Sequence, residues 1–125
     1  MPPNPPPITD AEWRIMQHLW ERSPQTAADL TAMLADDANW SSSTVKTLLG
    51  RLVKKGVLKT KADGKRFLYR PAVRRDRCVR TESHTFLDRV FGGNAGPAAA
   101  HFIKHHRLTS EQLDELRKLL DDKTA

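Results

Sequence analysis

A single cysteine, Cys78, in 125 residues excludes an intramolecular disulfide, and no stretch approaches the roughly 18 to 20 consecutive apolar residues that a membrane helix requires. A cytoplasmic, reducing compartment is the expectation. Cys78 itself, alone in a helical pattern, reads as a small buried apolar residue rather than a redox sensor. The opening MPPNPPP has neither the basic run nor the apolar core of a secretory signal, and reads as a disordered, polyproline-like tail over residues 1–7. Motifs that carry chemistry are missing too. There is no glycine-rich phosphate loop, no HExxH zinc pair and no nucleophile elbow, so no enzyme, catalytic residue, cofactor or metal is expected. The length fits one domain, or two very small ones.

Acidic residues are scarce in one segment only. Residues 46–70 hold nine Lys and Arg against Asp63, whereas residues 1–45 hold two Arg against six Asp and Glu. A generally basic protein would spread its charge, so a block this concentrated is the footprint of a polyanion partner.

The local signals divide the chain into three helices, a hairpin and three more helices. TDAE at Thr9–Glu12 is a capping box that opens the first helix, and Ile15, Met16, Leu19 and Trp20 follow at helical spacing. Thr26 opens a short second helix, with Asp29 in its first turn near the positive end of the helix dipole. Ser41 caps a third helix over residues 42–55, which Gly56 closes. Rotation of about 100° per residue gathers Val45, Leu48, Leu49, Leu52 and Val53 on one side of this helix. The opposite side carries Ser43, Thr44, Lys46, Thr47, Gly50, Arg51, Lys54 and Lys55, and VKKG is read as ending the helix beside phosphate. VLKTK and RFLYR alternate around ADGK, and Asp63-Gly64 signals a tight hairpin turn. Beyond Pro71, Phe86, Leu87, Val90 and Phe91 form one apolar face before GGNAGP. A short helix runs from about Pro97 to His105, and Thr109 with Gln112 caps a last one that bears Leu113, Leu116, Leu119 and Leu120.

Three helices with a polar third face, followed by a two-stranded wing, is the order of a winged helix-turn-helix DNA-binding domain. The fold class is thus mostly α, with this module over residues 8–71 and a small helical dimerisation domain over 72–125. Short hydroxyl side chains let a helix backbone approach base edges, and Lys46 and Arg51 reach guanine or phosphate. Gly50 at mid-face, at a cost of about 1 kcal/mol in a helix, suits a close approach. The candidate DNA-binding residues are Ser43, Thr44, Lys46, Thr47, Arg51, Lys54, Lys65 and Arg66. The candidate dimer face is Phe86, Leu87, Val90, Phe91, Leu113, Leu116 and Leu120, since about 55 residues without metal or disulfide need a second copy to bury them. A winged helix that docks an acidic protein is the rival reading.

ITDAEWRIMQHLW, TAADL, WSSSTVKTLLGRLVKKGVL, DGKRFLYRP, FGG and LTSEQLDELRKLL resemble the BlaI/MecI penicillinase-repressor family of bacterial transcriptional regulators, over residues 8 to about 121. The resemblance implies a homodimeric repressor that binds double-stranded operator DNA with dyad symmetry, its recognition helix bearing Ser43, Thr44, Lys46, Thr47 and Arg51 and its wing Lys65 and Arg66. It also implies relief by proteolysis in the C-terminal domain, triggered by a membrane sensor metalloprotease that detects β-lactam. The family cleaves an Asn-Phe bond, and the matching position here is His101-Phe102, a departure. A copper-responsive branch uses paired C-terminal cysteines, and none follows Cys78. His101, His105 and His106 offer imidazoles at metal-ligand spacing but read as surface residues.

Overall fold

The computed structural model describes residues 5–125. Its order is α1 (Asp10–Glu21), α2 (Ala27–Leu34), α3 (Ser42–Lys54), β1 (Leu58–Asp63), β2 (Arg66–Pro71), α4 (Arg75–Phe91), α5 (Ala95–His105) and α6 (Ser110–Thr124). The fold is mostly helical with one two-stranded antiparallel sheet, as expected. Thr9 and Glu12 make a reciprocal capping box, and so do Thr26 with Asp29 and Thr109 with Gln112. Each pairs two backbone N–H groups that the helix start would otherwise leave without partners. α5 begins two residues before Pro97, because proline in a first turn removes an N–H that has no helical partner there.

Two compact units meet between Glu82 and Ser83, within α4. The first unit is built on Ile15, Met16 and Leu19 of α1, Leu30 and Leu34 of α2, Val45, Leu48, Leu49 and Leu52 of α3, and Val57 and Leu58 where the wing begins. Cys78 joins this core, so the unit continues past Pro71 through the start of α4. Burial pushes the Cys78 thiol up, which makes it a packing residue and not a reactive thiolate. Residues 1–4 of the expected tail lie outside the described residues. Its last part is not loose: Pro5 is buried and the Pro7 carbonyl accepts from Lys55 Nζ at 3.0 Å.

Glu12 is a carboxylate inside this core, 1% exposed. Burial by itself would raise its pKa. The hydrogen bond from Lys55 Nζ, those with Thr9, and the lysine charge overcome that and hold the carboxyl below the usual carboxylate range. This pair ties the start of α1 to the end of α3. Lys55, expected beside phosphate, is thus turned inward. Because the folded pKa is lowered, the stabilisation is complete above the ordinary value of 4.5 and is lost as pH falls through the folded value. Thermal unfolding from pH 7 to 3 should therefore show the Tm falling on the acid side. Glu12→Gln should flatten that fall and cost about 1 to 3 kcal/mol at neutral pH, since it leaves Lys55 without its counter-charge.

The second unit, residues 83–125, has a different character. Ala98 is its only buried residue. Phe86, Phe91 and Phe102 lie with ring centroids 6.0 to 6.4 Å apart, yet Val90 is 52% and Leu120 59% exposed. Among the described residues no helix is long and apolar enough to cross a membrane.

Candidate nucleic-acid interface

α3 exists because Ser41 caps it and because its apolar side is sequestered: Val45, Leu49 and Leu52 are fully buried. That anchoring leaves Ser43, Thr44, Lys46, Thr47, Gly50, Arg51 and Lys54 exposed on the other side. Two of the hydroxyls are partly spoken for. Thr47 Oγ1 donates to the Ser43 carbonyl at 3.0 Å, so it can accept from a base edge but has no proton to give. Thr44 Oγ1 shares a hydrogen bond of 3.1 Å with Ser41 Oγ. Lys46 and Arg51 have no ion pair with any described residue. A Cβ at Gly50 would meet nothing within 4 Å, so no internal contact demands glycine there.

The wing is set by its register. Asp63 pairs with Arg66, which leaves Gly64 and Lys65 as a two-residue connection. Gly64 has φ +66° and Lys65 is not left-handed, the pattern of a type II′ hairpin turn. Lys65 is exposed at the tip, whereas Arg66 is held by Asp63, with its Nε 3.0 Å and a terminal nitrogen 2.9 Å from Oδ2. Gln25, in the loop between α1 and α2, exchanges both backbone hydrogen bonds with Tyr69 at 3.1 and 2.8 Å and fixes the root of the wing to the helices.

Lys46, Lys65 and Arg66 come together around one groove of about 580 Å³, which the start of α2, Phe67 and Tyr69 also line. Arg51 lies on the other edge of the α3 face, roughly 140° round the helix from Lys46. Phe67, 53% exposed, was not legible as a site residue; its alternation with Tyr69 on one strand face was the available signal. Asp29 lies in the same groove, its carboxyl lowered first by the Thr26 backbone N–H and then by the Thr26 side chain.

A family model described as penicillinase repressor matches residues 8–122. The chain belongs to the penicillinase repressor family. The penicillinase repressor of Bacillus licheniformis is 31% identical over 94% of this chain and 91% of its own. The solution structure of the DNA-binding domain of the repressor BlaI matches at 32% identity and TM-score 0.54, covering 59% of this chain and 90% of that one. A structure of monomeric Bacillus licheniformis BlaI in complex with the blaP half-operator matches at 32% identity and TM-score 0.52, with the same coverage. Penicillinase repressors are DNA-binding transcriptional regulators and not enzymes, and the winged-helix class is theirs.

In this member of the family the candidate cleavage pair, His101 and Phe102, is exposed and lies inside α5 rather than in a loop. The His101 and His105 rings stand 4.6 Å apart, while His106 is beside Phe102. Among the described residues no three His, Cys, Asp or Glu side chains are placed to hold a metal ion. Of the candidate dimer residues, Phe86, Val90 and Leu120 are exposed, and Leu87, Phe91, Leu113 and Leu116 are half-buried.

Proposed function

We propose that the protein is a homodimeric transcriptional repressor that inserts α3 into the major groove of an inverted-repeat operator. The observation that carries this reading is the face of α3: seven exposed positions with no apolar side chain among them, and a glycine at its centre that no contact among the described residues requires. A bare glycine in mid-helix is unfavourable by about 1 kcal/mol relative to alanine, and a close-approaching duplex accounts for it. Ser43, Thr47, Lys46 and Arg51 meet the groove, Lys54 and the wing residues Lys65 and Arg66 meet phosphate, and Thr44 stands at the rim. The complex of BlaI with its half-operator supports double-stranded DNA as the partner.

Residues 8–71 act as the DNA-binding module, whose core continues through Cys78 at the start of α4, and within 72–125 the exposed apolar residues of the second unit form the dimerisation face that a second copy covers. Release comes from an inducing signal; proteolysis at His101–Phe102 by a membrane sensor metalloprotease is the candidate route. Binding to a site selected from random DNA should lose on the order of 10³-fold affinity between 50 and 200 mM salt, as several phosphate contacts require. An affinity indifferent to salt, or no retention of any duplex, would sink the reading in favour of an acidic protein partner.

A further inference from the structure

The hairpin has two faces, and Lys65 and Arg66, the wing residues that meet phosphate, both lie at its tip. Strand pairing sets Leu58, Thr60 and Ala62 opposite Pro71, Tyr69 and Phe67. Successive side chains alternate across a strand, so these share one face. Leu58 is buried and Tyr69 packs on the core, which makes it the inner face, toward α2 and α3.

The outer face therefore carries Lys59, Lys61 and Asp63 opposite Arg70, Leu68 and Arg66. At the tip Arg66 is paired with Asp63 and lines the groove beside Lys46 and Lys65. Lys59, Lys61 and Arg70 are exposed and have no ion pair or side-chain hydrogen bond with any described residue. They line a pocket of about 210 Å³ together with Pro24, Thr60 and Leu68. Lys59 stands directly across the ladder from Arg70, and like charges so placed destabilise a sheet. Nothing within the described chain offsets that cost. A polyanion would.

Resting on the DNA-binding reading, we propose that this outer face is a second clamp for the sugar-phosphate backbone, in which Lys59, Lys61 and Arg70 hold phosphates on the side of the wing away from α3. The hairpin is then gripped by DNA on both sides, with Lys46 and Lys65 serving the inner one. Lys59 and Lys61 are two residues apart on an extended strand, roughly 7 Å, about two steps of axial rise along one DNA strand. Backbone phosphates carry no sequence information, so the outer clamp adds affinity and salt dependence but no base preference.

The test compares the full-length protein with the variant K59A/K61A/R70A. One probe is a duplex with the dyad site that the wild-type protein selects from a random pool, extended a full helical turn beyond each half-site; the other is a random-sequence duplex of equal length. The variant is expected to lose about tenfold or more on both probes alike, and its plot of log affinity against log salt should be shallower by roughly 2 to 3 per protomer. Its Tm should equal or exceed that of wild type, because the opposed Lys59 and Arg70 charges are gone. Should the alanines unfold the wing, K59Q/K61Q/R70Q keeps side-chain length and must give the same loss of slope. A slope and affinity equal to wild type overturn the clamp. Unchanged DNA binding together with lost retention on polyglutamate also overturns it and assigns the face to an acidic protein. A wild-type protein that binds neither duplex overturns the proposed function as well, whereas steep wild-type binding with an unchanged variant overturns the clamp alone.

Discussion

Replacing Lys46 and Arg51 together by alanine is expected to weaken binding to the selected dyad site by roughly 1 to 3 kcal/mol per residue in each half-site, and to flatten the preference for that site over random DNA. Both side chains are exposed and unpaired among the described residues, so their loss leaves no internal partner stranded and the fold should keep its Tm. The hydroxyls make up little of the difference: Thr47 already donates to the Ser43 carbonyl and Thr44 is engaged with Ser41, and the neutral Ser43 hydroxyl cannot replace a cation's bidentate or phosphate contact. Anisotropy titrations on both duplexes, with thermal unfolding alongside, check this. A variant that retains the wild-type ratio between selected and random DNA would remove these two residues from base readout.

The second large effect concerns assembly. Val90→Asp or Leu120→Asp is expected to convert the protein to a monomer in sedimentation, and to reduce affinity for the full dyad site by about 10² to 10⁴ while sparing affinity for a half-site. Both residues are more than half exposed in the single chain, so an aspartate there costs the monomer little. In a dimer face it would bury an unpaired charge, which costs several kcal/mol. A unit whose only buried residue is Ala98 cannot stand on its own core. Dimers that persist in both variants would place the self-association elsewhere.

Element positions were largely legible because their signals are local. The boxes at Thr9–Glu12 and Thr109–Gln112, the Ser41 cap, the Asp63-Gly64 signal, which the chain realises one residue on as a Gly64-Lys65 turn, and the apolar spacing of α3 each involve residues within a few positions of one another. The start of α5 was misplaced by a proline that its first turn tolerates. The polar face of α3 was equally visible, since rotation along one helix needs no knowledge of the rest.

Local pattern is thus enough for the set of elements, the two-sided third helix and the concentration of cations between residues 46 and 70. What it left open was which cations are free. Lys54 and Lys55 are adjacent in the same basic run, but only the second reaches the buried Glu12, 43 positions away, and is held there in an ion pair. Arg66 is tied to Asp63, while Lys59, Lys61 and Arg70 have no partner among the described residues, on a face that strand register alone defines. Charge is a property of the residue, but its availability depends on what the folded chain brings within a few ångströms.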